Sequence, residues 1–273
     1  MLQLVKESIE FVCAIVYFPF HALLRKSPLR VVVCYHDVKE REAGNFRKQM
    51  ACLAKENYKV VKISEIMTAC AKVERAVVAI SFDDAFVSIL ENALPSLEEF
   101  GFPASIAVPT ANLAQPPQWD ISAGSSHVRE IVMSDKQIEE VDEDGFELIS
   151  HTASHPKLTR ISDSQLKHEL EDSKKTLESI TGCEVVAICY PHGDYDARVC
   201  HAAQEAGYRL GFTMEPYRAD ESPGNFEIGR FSVSARDGLT KFRLKINGAY
   251  QMLRYLRMLK RILTGGNWRS LLK

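Results

Sequence analysis

The sequence predicts an α/β fold built on a barrel-like parallel sheet, on the strength of three observations. Short apolar runs alternate with segments of helical period along most of the chain. The runs are continuous rather than alternately apolar and polar, which is how strands read when helices cover both faces of a parallel sheet. Seven or eight such units fit into about 210 residues, the density of a (β/α) barrel. At 273 residues, with 46% apolar and 26% charged side chains, the chain is long enough for one large domain with its own core.

In chain order, the first segment is MLQLVKESIEFVCAIVYFPFHALLRKSPLR. Its apolar stretch, Phe11 to Leu24, is broken by Pro19 and His21 and falls short of the roughly 20 residues a membrane span needs. Arg25, Lys26 and Arg30 follow the stretch instead of preceding it, so it does not read as an export signal. Residues 1–29 are therefore expected to form an amphipathic helix, lying in a membrane interface or packed on the domain.

Strands are expected at RVVVCY (30–35), YKVV (58–61), AVVAISF (76–82), ASIAVP (104–109), FELIS (146–150), VVAICY (185–190), YRLGFT (208–213) and FEIGRFSV (226–233). Helices are expected at about 45–57, 64–73, 86–100, 134–144, 162–181 and 196–206. For the fifth of these, Ser162 with Gln165 three positions on makes a capping box, and Gly182 closes the helix. The stretch 110–134, with two adjacent prolines and Trp119, is too long for a simple connector and reads as a functional or mobile loop.

Charge is uneven. Net charge is −2, yet residues 241–273 hold nine basic side chains and no acid, which leaves 25 basic against 36 acidic residues in the rest. Leu253, Leu256, Leu259 and Ile262 recur there at helical spacing with cations between them, so 241–273 reads as a basic amphipathic helix. Without a nucleic-acid motif beside it, the expected partner is an anionic membrane surface and not nucleic acid. The expected organisation is an N-terminal segment 1–29, a barrel domain 30–240 and the basic segment 241–273. Seven cysteines, none in a C-x-x-C pair, mostly sit inside apolar runs and favour a reducing compartment.

Parallel α/β folds build their sites at the carboxyl ends of strands, and there the polar residues are few. His36 ends the first run, Asp83 and Asp84 the third, His151 and His155 follow the fifth, and His192, Asp194 and Asp196 follow the sixth. A histidine pair alone is a weak signal. Its coincidence with a strand-end Asp-Asp is stronger, because two neutral imidazoles and one carboxylate make a three-ligand set for catalytic zinc, and also suit iron, cobalt or nickel.

Ser81-Phe82-Asp83-Asp84, His151-Thr152-Ala153-Ser154-His155 and Tyr190-Pro191-His192-Gly193 closely resemble the three motifs of the polysaccharide deacetylases of carbohydrate esterase family 4, the NodB-homology domain. The resemblance covers about residues 30–235. It implies a deformed (β/α) barrel of about seven parallel strands and metal-dependent removal of acetyl groups from N-acetylated sugars. It also implies that Asp83 is the general base, that Asp84, His151 and His155 hold one divalent ion, zinc foremost, and that the backbone N–H of His192 supports the oxyanion. The family's third motif usually carries an arginine that orients the base, but Cys189 stands there; Arg230 and Arg236 are the candidates to replace it. The usual C-terminal motif with the general acid is missing. A subgroup that includes exopolysaccharide deacetylases has an N-terminal Y-H-x-V instead, here Tyr35-His36-Asp37-Val38, which implies His36 as the acid, losing its proton near or above about 6.5. Trp119, Tyr190 and Asp194 are the candidate substrate contacts, while His21, His127, His168 and His201 read as ordinary surface or partly buried residues.

The expected activity is thus deacetylation of an N-acetylhexosamine in a glycan or lipid-linked glycan precursor of surface-polysaccharide synthesis. The alternative from another class is a non-catalytic carbohydrate-binding or scaffold protein at a membrane, with a structural metal. Absence of an export signal and the unpaired cysteines favour the cytoplasmic side, at the inner face of the membrane.

Overall fold

The structure, a computed structural model, describes residues 2–24, 29–69, 76–119 and 126–254. Eight strands, β1 (Arg30–Tyr35), β2 (Lys59–Val61), β3 (Val77–Phe82), β4 (Ser105–Val108), β5 (Glu147–Ser150), β6 (Ala187–Cys189), β7 (Leu210–Phe212) and β8 (Phe231–Ser232), pair in parallel throughout. Their order is β7-β6-β5-β4-β3-β1-β8, with β2 paired to the first half of β3 and β4 to its second half. The stretch just before β8 hydrogen-bonds to β7, through Gly211 N to Asn225 O at 2.8 Å and Thr213 N to Ile228 O at 2.8 Å, while β8 itself pairs with β1. One segment thus reaches from the last strand of the curled sheet to the first, as a deformed barrel requires.

Side chains alternate across each strand, and here both faces are buried. Val31, Val33 and Tyr35, Val78, Ile80 and Phe82, and Ile188 and Tyr190 face the surrounding helices and join the large core. Val32, Val77, Ala79, Ala107, Ile149, Ala187, Cys189, Leu210 and Phe212 face the barrel interior. Continuing the inward row by two residues leads from Val32 through Cys34 to His36, from Ala79 through Ser81 to Asp83, and from Ile149 to His151. The period of the strand therefore delivers three polar side chains to one rim.

The helices are α1 (Leu2–Leu24), α2 (Glu40–Lys55), α3 (Val87–Asn92), α4 (Leu94–Phe100), α5 (Asp135–Glu143), α6 (Asp163–Thr181), α7 (Ala197–Glu205) and α8 (Leu239–Ile246). The α6 capping box is present, with Gly182 left-handed after it. Sequence and structure differ at three places. Residues 63–65 form a single short turn where a helix over 64–73 is expected, and 70–75 lie outside the described residues. The expected 86–100 helix is two helices, because Pro95 lacks the N–H that would continue the ladder past Ala93. The α2 helix begins at Glu40 instead of 45, running through Gly44, whose surroundings are open.

The α1 helix packs on the domain through Phe11, Ala14, Tyr17 and Phe18, and none of the described helices is long and apolar enough to cross a membrane. The stretch expected as a basic tail begins inside the core. Phe242, Leu244 and Ile246 of α8, then Ala249, Tyr250 and Met252, are all buried. Residues 255–273, with Leu256, Leu259 and Ile262, lie outside the described residues.

Candidate active site

Asp83 and Asp84 leave β3 in opposite senses. Asp83 continues the inward row, and Asp84 then takes a left-handed turn (φ 73°), as does Ala85 (φ 48°). Thr152 (φ 65°), His155 (φ 61°) and His192 (φ 58°) are left-handed as well. Such backbone costs about 1–3 kcal/mol per residue and concentrates where side chains must be aimed. Here the turns bring Asp84 back beside the two histidines: its Oδ1 lies 3.6 Å from His151 Nε2 and 3.4 Å from His155 Nε2.

These three residues are buried, and one donor atom from each falls within 4.8 Å of the others. His151 Nδ1 is 2.7 Å from the Cys189 carbonyl oxygen, which accepts its proton and leaves Nε2 as a lone-pair donor. Asp84 Oδ1 is buried with no hydrogen-bond partner. Burial, and then the charge of Asp83, push the Asp84 carboxyl up to about 8. Burial lowers His151 to about 4, and burial with the neighbouring imidazoles lowers His155 as well. An orphaned carboxylate oxygen facing two neutral imidazole nitrogens is a donor set that fits a divalent cation.

Asp83 is bound differently. Arg230, wholly buried, donates from both terminal nitrogens to its two oxygens, at 2.6 and 2.9 Å, and anchors itself through Nε to the Thr213 carbonyl at 3.0 Å and through a terminal nitrogen to Ser81 Oγ at 3.3 Å. Burial pushes the Asp83 carboxyl up, but Arg230, with His151 and His36 behind it, overrides burial and holds it well below the usual carboxylate range. Two adjacent carboxyls are thus driven apart, one kept as an anion and the other left short of a cation. Arg236 instead pairs with Glu42 at 2.7 Å, so of the two arginine candidates only Arg230 meets Asp83. Cys189 accepts from His151 through its carbonyl and meets Asp83 through its thiol, whose pKa is raised by burial first and then by the Asp83 charge and hydrogen bond against the lowering effect of Arg230.

The remaining candidates separate into two groups. His36 stands at the rim, stacked on His127 with ring centroids 5.8 Å apart, and Trp119 covers His155 at 4.5 Å, with His192 on another side at 4.6 Å. Phe86 links Trp119 (6.5 Å) to His127 (5.5 Å). A wall of six rings therefore runs from His192 to His36 around the metal-ligand set. Of the expected substrate contacts, Tyr190 is corrected by its burial, and Asp194 is held by a neighbouring loop. Tyr190 lies on the outward row, fully buried, with its hydroxyl donating to the Phe226 carbonyl at 3.1 Å, and Asp194 accepts from the backbone N–H and hydroxyl of Thr159 at 2.9 and 3.0 Å. Tyr190 is thus closed off from a substrate, while Asp194, half-buried, ties the rim to Thr159.

Burial lowers the His36 pKa, against the Asp83 charge that raises it, which corrects the expectation of a value near or above 6.5. His127, read from sequence as ordinary, is the group that is raised: a hydrogen bond with Asp37 favours its protonated form over the cost of burial, and Nε2 stands 3.5 Å from Asp37 Oδ1. The only sign of it in the sequence was the length of the loop that carries it.

The polysaccharide deacetylase family profile matches residues 71–211. The polysaccharide deacetylase candidate YxkH of Bacillus subtilis (strain 168) is 26% identical over 214 residues, 74% of this chain and 71% of that protein. The poly-β-1,6-N-acetyl-D-glucosamine N-deacetylase of Staphylococcus epidermidis is 23% identical over 236 residues, 79% and 77% of the two chains. Among solved structures, the Streptococcus pyogenes deacetylase PplD in complex with acetate shares the fold with a TM-score of 0.68 at 21% identity, covering 81% of this chain and 99% of its own.

Proposed function

The chain belongs to the polysaccharide deacetylase family, and from that premise we propose that it removes N-acetyl groups from an N-acetylhexosamine glycan, a poly-β-1,6-N-acetylglucosamine-like polymer or its lipid-linked precursor, at the rim built from Asp83, Asp84, His151 and His155. The observation that carries this reading is the Arg230–Asp83 clamp beside the ligand set. A protein that only bound a glycan through a structural metal has no need of an ionised carboxylate held next to that metal.

Asp84, His151 and His155 would hold a divalent ion, zinc first among zinc, iron, cobalt and nickel by its preference for two imidazoles and a carboxylate. The chemistry supplied there by a bound ion would be polarisation of the acetyl carbonyl and a lowering of the pKa of water toward about 7. Asp83 then accepts the proton of the attacking water. Arg230 fixes both carboxylate oxygens, trading basicity for an orientation that does not have to be found during the reaction. The oxyanion is met by the backbone N–H of His192, set by the left-handed turn at that residue and by Gly193, where a Cβ would come within 2.7 Å of the Met214 Cβ. The leaving nitrogen is too basic to depart as an anion, and His36 protonates it. Trp119, half-buried over His155 with the buried Phe86 ring behind it, offers the flat apolar surface against which a sugar ring stacks.

The test is acetate release from N-acetylglucosamine oligomers of β-1,6 linkage. Release is expected from metal-loaded protein, is expected to stop with chelator and to return with added divalent ion. Binding of the oligomers without any acetate release would favour the non-catalytic alternative.

A further inference from the structure

A cleft of about 460 Å³ opens beside the rim, within the size range of ligand sites. Val87, Ser88 and Glu91 of α3 form one side, and Arg129, Glu130 and Ile131 the other. The two sides are tied together: Phe86 and Val132 form an antiparallel bridge, and the Val87 N–H donates to the Ile131 carbonyl at 2.9 Å. The lining is mixed. Ile131 is the one large hydrophobic side chain outside α1 that is strongly exposed among the described residues, at 41%. Beside it stand two carboxylates and one guanidinium, and Ser88 Oγ on the α3 side is buried without a hydrogen-bond partner, a state that buried polar groups rarely keep. None of these side chains takes part in the site described above. Apolar surface among side chains that bond hydroxyls suits a pyranose, which presents C–H groups on its faces and hydroxyls around its edge. The excess of acid over base suits an anionic ligand less.

Two short segments serve both the rim and the cleft. Phe86 turns its ring to Trp119 and His127 on the rim, while the next residue, Val87, lines the cleft. His127 stacks on His36, while Glu130, whose N–H donates to the His127 carbonyl at 3.0 Å, lines the cleft. A chain of ion pairs runs the same way, from Glu130 to Lys39 at 3.8 Å, on to Asp37 at 3.6 Å and to His127 at 3.5 Å. The cleft therefore adjoins the end of the rim that holds His36, where the amide nitrogen is protonated. That nitrogen stays on the sugar when acetate leaves, so the rest of a glycan chain extends from this end. We propose that the cleft binds a neighbouring sugar of the same glycan chain, with Ile131 and Val87 under its ring and Glu91, Glu130 and Arg129 on its hydroxyls, and so selects a polymer over a single sugar. The proposal rests on the glycan-deacetylase reading and deepens it.

The experiment compares acetate release from the β-1,6-linked tetramer of N-acetylglucosamine with hydrolysis of nitrophenyl acetate, an ester too small to span rim and cleft, in wild type, Ile131→Ser and Glu91→Gln. Both substituted residues are exposed, so the thermal melt should be kept. Each variant is expected to lose about tenfold in kcat/KM on the tetramer, chiefly through KM because the contact is remote from the reacting bond, with the ester unaffected. A second arm measures tetramer binding by titration calorimetry to Asp83→Asn, with and without Ile131→Ser, and should show the same loss of affinity. Variants that turn over the tetramer as the wild type does, or that slow tetramer and ester alike, would overturn the cleft assignment and leave the deacetylase reading standing. No acetate from the tetramer, with binding still weakened by Ile131→Ser, would support the cleft and overturn the deacetylase reading. Neither release nor binding would overturn both.

Discussion

Arg230 shows how much one side chain can carry. It reaches Asp83 from 147 positions away, so no local pattern announces it, and in the sequence it could be only one of two candidates for the place that Cys189 leaves empty. Replacing it by glutamine removes two charge-assisted hydrogen bonds from a buried carboxylate. Turnover in Arg230→Gln is expected to fall by about 10²–10⁴ with the metal retained. Burial would then dominate Asp83, so the acid limb of the rate profile should move up in pH, and the melting temperature should drop because a buried charge has lost its partner. Metal loss in this variant would show that Arg230 supports the ligand set instead. The two stacked imidazoles titrate on opposite sides of about 6.5. His36 is lowered, so its acid form, and the rate that needs it, should fall as pH rises through a value below 6.5. His127 is raised by Asp37, so its contribution to stability is full below about 6.5 and is lost as pH rises through its higher folded value. Histidine-ring NMR should resolve the two, with Asp37→Asn lowering His127 far more than His36, on which the Asp37 charge is a minor influence; a single common midpoint would contradict the assignment.

At the scale of elements, the segment Asn225–Ser232 does the work that closes the sheet and delivers the arginine. Its path is tight: a Cβ on Gly229 would come within 2.5 Å of both the Tyr217 ring and the Tyr217 carbonyl oxygen, and within 2.8 Å of the Glu215 carbonyl. Gly229→Ala is expected to cost about 1–3 kcal/mol and to lower turnover by displacing Arg230, with metal content unchanged. A variant with wild-type activity and stability would mean that the segment can shift without moving the arginine. The strands were legible because burial on both faces makes each a continuous apolar run, and β1, β3 and β5 end within a residue of where those runs end. The 64–73 stretch was misread because its apolar spacing serves two inward residues, Ile63 and Ile66, of a single turn. The loop at 110–134 could be flagged by its length alone; that it sets Trp119 on His155 and His127 on His36 depends on contacts such as Ala111 N to Ala153 O at 2.8 Å, which have no sequence signature.

For the whole molecule, strands distant in sequence meet at one rim, and the ligands come from the ends of β3 and β5. An ion held by Asp84, His151 and His155 therefore ties two parts of the barrel together. Binding that favours the folded state stabilises by about 2.7 kcal/mol at a hundred times the dissociation constant, so a clear rise in melting temperature with added zinc is expected. It should vanish in Asp84→Asn, and an equal rise in that variant would place the ion elsewhere. The motifs singled out Asp83 and the Asp84, His151 and His155 cluster before any coordinates, because each lies within a few residues of a strand end. The Arg230 clamp and the ring wall were not readable, because they arise only when the sheet curls. The most direct measurement is acetate release from β-1,6-linked N-acetylglucosamine oligomers by wild type and Asp83→Asn, with bound metal quantified in both. The expected result is metal-dependent release by the wild type, and full metal occupancy with turnover lower by about 10²–10⁴ in Asp83→Asn. Wild-type turnover in Asp83→Asn, or no acetate from fully loaded wild type, would contradict the account.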